Sequence, residues 1–237
     1  MPPDPARHIP DPQQSEALPK QPRVLVELAD RLLQVKPESI ARLDRSRAAL
    51  DQALSKHPEP FAVHWRIARL CALMGRHIQN KKQRVEVLKE GIAHAQQAEQ
   101  LAPERVEPPY FHALNVARQA EVERSLKLIK KAAVLAERAR SLDPAFDQAG
   151  PLTLLGKIYL MAPAWPVSVG DLEKAISLLE QAVRLAPRPI THLFLGQAYA
   201  TDEQFEKARV QLKKALKGPL EQRWRREAKK ALESTEL

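Results

Sequence analysis

The sequence predicts an all-α chain whose short helices pair into hairpins that stack in a row. Three observations carry that expectation. From Arg23 to about Leu232, blocks with the apolar spacing of amphipathic helices alternate with short proline-containing breaks, and no strand-like alternation interrupts them. Hydrophobic residues make up 44% of the 237, but aromatics only 5%. The apolar set is mostly Ala and Leu, which favour helix and allow helices to approach closely. A pattern of small or apolar residues also recurs at a fixed spacing, which is the mark of a repeat array.

In chain order, residues 1–22 hold seven of the 20 prolines and scarcely any apolar side chains. Such a segment cannot bury enough surface to offset its ordering entropy, so it is expected to be a disordered or extended arm. Residues 23–237 then form one repeat domain. Five block ends align on Pro58, Pro103, Pro144, Pro187 and Pro219, which fall 45, 41, 43 and 32 residues apart. The helix before each proline carries Ser46-Leu50-Ala53, Gly91-Ala95-Ala98, Ala132-Ala136-Ala139, Ala175-Leu179-Ala182 or Ala208-Leu212-Ala215. Offsets of 0, 4 and 7 lie on one helical face, where small side chains admit a neighbouring helix. The partner helix of each hairpin is clearest in Leu155-Gly156-x-x-Tyr159 and Leu195-Gly196-x-x-Tyr199, with Trp65 and Leu114 as degenerate counterparts further upstream.

These spacings resemble tetratricopeptide repeats. Gly196 precedes Ala208 by 12 residues, with Leu212 and Ala215 in step, as in the repeat's consensus. The likeness is close over 149–187 and 189–219 and more divergent over 23–148. It implies a right-handed α-α superhelix of about five hairpins whose first helices line a concave groove. Each hairpin leaves an apolar face bare until a neighbour stacks on it, so residues 220–237 are expected to supply a capping helix. In it, Trp224 and Leu220 would close the last apolar face and the cations would face water.

One connection is irregular. Between Tyr159 and Ala175 the fourth repeat runs seven residues longer than the fifth, through Pro163, Trp165, Pro166 and Gly170. Asp171 is placed to cap the following helix. Trp165 is expected to fold back and plug the hairpin; the other reading of Trp165 and Pro166 is a lid or contact point. The run from Gly156 to Ala175 is also similar to the T-component family of TRAP-type (tripartite ATP-independent periplasmic) transporters. That likeness implies an envelope protein that docks on a solute-binding subunit and handles a small apolar or carboxylate ligand. The lipoprotein cysteine expected near such a protein's N-terminus is missing.

Catalytic chemistry finds no foothold. The seven histidines make no metal-ligand spacing, and no phosphate loop, nucleophile elbow or C-x-x-C pair occurs. The lone Cys71 sits in an apolar run and reads as an inert buried thiol. No enzyme, metal or cofactor is expected. The net charge of +9 draws the chain toward polyanions in general without naming one. Eight cations crowd residues 213–230, but only Trp224 could stack on a base, so a solvated cap is favoured over nucleic-acid binding.

Binding residues are instead expected on the groove. Registered on the Leu-Gly pairs, these are Arg66, Leu70, His112, Val116, Thr153, Lys157, Leu193 and Gln197. Their mixture of cations and apolar side chains suits a peptide or protein partner, or an amphipathic acid. The Lys/Asn arrangement of chaperone-tail-binding relatives is not reproduced. No apolar run reaches the ~20 residues that span a bilayer and no secretory signal is written, so a cytoplasmic location is expected. The bacterial envelope is the alternative if a signal was removed.

Overall fold

A computed structural model describes residues 17–34, 39–56 and 60–235. It contains eleven helices and no strand among the described residues: α1 (Pro22–Gln34), α2 (Ile40–Leu54), α3 (Phe61–His77), α4 (Lys81–Leu101), α5 (Glu107–Glu123), α6 (Leu126–Leu142), α7 (Phe146–Met161), α8 (Leu172–Leu185), α9 (Pro189–Thr201), α10 (Phe205–Lys217) and α11 (Gln222–Glu233). The first ten pair in sequence as five hairpins, and α11 packs on α9 and α10 as the next first helix would. Most of the expected arm, residues 1–16, and the repeat-aligning Pro58 lie outside the described residues. Leu18 does not stay free of the fold. It packs against the N-terminal core, and the Pro19 carbonyl accepts a hydrogen bond from Gln52 Nε2 at 3.2 Å.

Local chemistry sets the helix starts. Ser39, Asn80, Ser125 and Asp171 each accept a hydrogen bond from the backbone N–H three residues on, so the second helices of four hairpins begin on side-chain caps. Proline occupies the first turns of α5 and α9, where a missing N–H costs nothing.

Packing follows the repeating stripe. All fifteen residues at the 0, 4 and 7 offsets are buried. Their small size lets the first helices come close. A β-carbon on Gly156 would lie 2.6 Å from Leu179 Cγ, and one on Gly196 the same distance from Leu212 Cγ. The leucine at offset four therefore seats against bare backbone in both hairpins. The core is strung along the array in three main clusters, at the N-terminal, central and C-terminal hairpins, as expected when each unit touches only its neighbours.

Two places break the regularity. At the start of α7, Asp147, Gln148 and Ala149 have φ of 47°, 57° and 57°, a left-handed turn of non-glycine residues. Its anchors are Tyr110 Oη donating to Asp147 Oδ2 at 2.9 Å and Arg188 donating to the Asp147 carbonyl at 3.1 Å. The second is the loop between α7 and α8. Asp171 caps α8 as expected, but Trp165 does not plug the hairpin: it is 84% exposed. Ser168 and Val169 turn inward instead, and backbone bonds from Gly170 to Pro163 and from Asp171 to Tyr159 pin the loop's base. That pinning directs Trp165, ahead of a cis-proline at 166, into solvent.

Candidate functional site: the inner face of the first helices

The inner faces of α3, α5, α7, α9 and α11 converge on one group of side chains. Lys157, in the C-terminal half of α7, pairs with Glu121 of α5 at 2.5 Å. Its Nζ also lies 5.7 Å from the ring centre of Phe194 (α9) and 5.3 Å from that of Trp224 (α11), within reach of cation–π attraction. Phe194 and Trp224 meet edge to face, 5.4 Å apart. Arg223 lies over Trp224 at 4.3 Å, and its Nε is 3.5 Å from Glu221, the residue just ahead of α11. Glu221 also pairs with Arg76 near the end of α3.

Arg118, one turn before Glu121, has no hydrogen bond or ion pair with any described residue, and its Nε is fully buried. Burial, and then the charge of Arg76, pull its guanidinium down to about 10; Arg223 adds to the repulsion and Glu121 opposes it. Burial alone would raise the Glu121 carboxyl, but pairing with Lys157 and the nearby Arg118 hold it below its usual value. The group thus contains four cations, Arg76, Arg118, Lys157 and Arg223, against two carboxylates, Glu121 and Glu221.

One helical turn along α7 from Lys157, a shallow pocket of about 360 Å³ opens between the C-terminal ends of α7, α9 and α11. Leu160, Met161, Gln197, Ala200, Thr201, Ala231 and Ser234 line it. Gln197 Oε1 is buried there without a hydrogen-bond partner. Because buried acceptors normally find donors, this oxygen has capacity to spare for one.

Of the residues expected to line the groove, Lys157 pairs with Glu121 and Gln197 lines the shallow pocket. Five others are buried in the packing: Leu70, His112, Val116, Thr153 and Leu193. Leu70, Val116 and Leu193 are fully enclosed. Thr153 is 3.1 Å from Thr191, and His112 Nδ1 is 2.8 Å from Glu99 of α4. Arg66 is held by Asp30 of α1 through contacts of 2.8–3.0 Å and lies 4.1 Å over Trp65.

The error has a physical cause. The position two residues before the Leu-Gly pair is buried even where that pair fixes the register, as Thr153 and Leu193 show; α5 in addition has no Leu-Gly pair, and taking Leu114 as its marker placed Val116 on the inner face in place of Glu121, which meets Lys157. A signal was available, since Glu121 precedes Lys157 by 36 residues, about one repeat period, with opposite charge. Arg76, Arg118, Arg223 and Phe194 left no comparable trace. Cys71 is buried as expected, and burial pushes its thiol up to about 12.

Paired helices with small contact residues, stacked around a common inner face and closed by a solitary helix, define the tetratricopeptide-type superhelix, and solved structures of that class share this fold. The chain is similar to a thermophilic tetratricopeptide protein, TTC0263, from Thermus thermophilus, with a TM-score of 0.68, 18% identity, and coverage of 90% of this chain and 99% of that one. Pseudomonas aeruginosa pilF gives a TM-score of 0.63 at 14% identity, covering 90% of this chain and 88% of the other. YrrB, described as a tetratricopeptide protein with an unusual peptide-binding site, gives 0.52 at 19% identity, covering 89% and 93%. No family model matches the sequence, and no curated protein matches it. None of these three structures is described as a transport component, so the T-component resemblance rests on the loop motif alone.

Proposed function

We propose that this chain is a non-enzymatic interaction scaffold that receives a peptide or a segment of a partner protein on the inner face of its first helices. The observation that carries the reading is the convergence of Lys157, Arg223 and Trp224 over the buried Phe194, with the pocket at Gln197 further along the same helices. Aromatic and arginine side chains grouped on a concave face are the residue types that dominate binding energy at protein interfaces. YrrB, of similar fold, is described as binding peptide, which supports the reading by analogy of architecture.

Site-specific photocrosslinking tests it. A crosslinker at Gln197 should capture a defined partner in the host cell, and one at Val134, on an outer helix and 71% exposed, should not. Equal capture at both positions, or capture at Val134 alone, would move the interface to the outer surface. A second reading draws on the same apolar pocket and cations: a transport accessory that holds a small apolar or carboxylate ligand and docks on a solute-binding subunit. Native mass spectrometry of protein purified from its host separates the two, since only the second predicts a small molecule retained by the chain.

A further inference from the structure

We infer that the edge of the array formed by the α7–α8 loop and the start of α6 seats on a bilayer surface of anionic phospholipid, with Trp165 entering the headgroup layer and Lys127, Lys130 and Lys131 lying over the lipid phosphates. This surface lies apart from the groove and does not depend on it.

Three observations carry it. First, the loop presents apolar side chains to water on a fixed support. Trp165 is 84% exposed, Val167 58% and Met161 52%. Beneath them Ser168 is buried, Val169 packs in the central core, and the backbone N–H groups of Gly170 and Asp171 bond to Pro163 and Tyr159. A tryptophan ring, apolar in body with a single N–H, is the side chain that settles at the boundary between hydrocarbon and water.

Second, cations stand beside it. The connections from first to second helix share one edge of the array, because α5 and α7 are neighbouring first helices that run the same way. Val169 joins the same core cluster as Leu128 and Ile129, so the lysines flanking that pair begin next to the loop. Lys127, Lys130 and Lys131 are all exposed and have no counter-ion among the described residues. Helix starts favour carboxylates, and the first turns of α8 and α10 carry Glu173 and Glu206, but that of α6 carries none. Along the edge Asp171 pairs with Lys174 and Glu123 accepts a hydrogen bond from Gln119, while Glu173 opposes the lysines.

Third, the chemistry suits lipid better than nucleic acid. Lysine is a flexible point charge fitted to a diffuse negative surface, whereas arginine forks onto a single phosphate. One aromatic at the tip would give a nucleic-acid strand one base to stack on. The net charge of +9 adds attraction at long range.

Co-sedimentation of the full chain with vesicles tests it. Vesicles of equal parts phosphatidylcholine and phosphatidylglycerol should bind at least ~10-fold more tightly than phosphatidylcholine alone, since each lysine near a charged surface contributes about fivefold. Raising the salt should weaken that binding. The combined variant Lys127→Gln, Lys130→Gln, Lys131→Gln should lose the preference. Trp165→Ala should weaken binding about tenfold and keep the preference. Brominated lipid should quench Trp165, because Trp65 stacks on Phe111 and Trp224 packs on Phe194 within the array, and the quenching should vanish in Trp165→Phe. An unchanged melting temperature checks that these exposed substitutions leave the fold intact.

Failure to bind either vesicle, equal binding to both, a preference that survives the lysine replacements, or undiminished quenching in Trp165→Phe would overturn the lipid surface. Tighter binding of a single-stranded oligonucleotide than of the anionic vesicles, lost with the same lysines, would overturn it in favour of nucleic acid. A dimer in sedimentation velocity that Trp165→Ala dissociates would overturn it in favour of a second copy of the chain.

Discussion

The outer and inner helices of this array solve different problems, and the contrast explains what each can tolerate. On α2, α4, α6, α8 and α10 the residues that matter are Ser, Gly, Ala and Leu, buried at a constant spacing, and the function of each is to be small or to fill a fixed gap. On α5, α7, α9 and α11 the residues that matter are Arg118, Lys157, Phe194 and Trp224, which differ at every level of the array and meet only across it. Stacking demands uniformity along the chain. Inner-face residues are freer to vary from one repeat to the next, except where, like Phe194 and Trp224, they also belong to the core.

Substitutions can break or sharpen this division. The largest effect belongs to the outer stripe: Ala208→Leu or Ala215→Leu, each placed where no space exists, should cost ~1–3 kcal/mol by overpacking. Thermal denaturation would then show a fall of several degrees, and an unchanged melting temperature would mean the helices are not held by that contact. Next comes a polar pair between the two helix sets. His64 of α3 and His94 of α4 face each other with Nδ1 atoms 2.8 Å apart, so one must be neutral to accept. Burial lowers both below the usual histidine value, and for His94 the charge of His64 adds to it. The unfolded chain therefore binds more protons than the folded one. The stability these groups contribute is whole above pH ~6.5 and is lost as pH falls through the lowered folded values. Melting temperature should drop below pH 6.5 in the wild type, and the slope should flatten when both histidines are replaced by Gln.

A smaller gain is expected at the left-handed turn of α7. Gln148 is exposed with φ of 57°, and Gln148→Gly removes a steric cost of ~1–2 kcal/mol, partly offset by the added freedom of the unfolded chain. A net stabilisation of roughly 1 kcal/mol or less should appear in a urea titration as a raised midpoint at constant slope. The smallest effect on stability belongs to the inner face. Lys157→Ala loses one partly exposed ion pair and two long cation–π contacts, and should change folding free energy by no more than ~1 kcal/mol. The same change should weaken capture of the partner, so a Lys157→Ala chain that melts early but binds normally would erase the distinction between the two helix sets.

The outer stripe, the five hairpins and the cap at Asp171 were all readable from residue order, because each depends on periodicity within one helix or on a side chain and a backbone N–H three residues apart. The fate of Trp165 was not. Whether it plugged or projected depended on which loop residue filled the space beneath, and Val169 and Ser168 took that place. The groove fared worse for a related reason. Helix α5 lacks the glycine that marks register in α7 and α9, and one wrong step around a helix turns a solvent-facing position into a core one. Val116 was displaced in that way.

What the sequence by itself determined is the architecture: small residues at 0, 4 and 7 leave stacked hairpins as the way to bury them. What only the tertiary structure decided is the company each inner residue keeps. Arg76, Arg118, Lys157 and Arg223 are separated by up to 147 positions, and they share one face because the curvature of the stack brings α3 opposite α11. Curvature is a sum of small rotations at every helix contact, so it belongs to the assembled array and to no single segment of it.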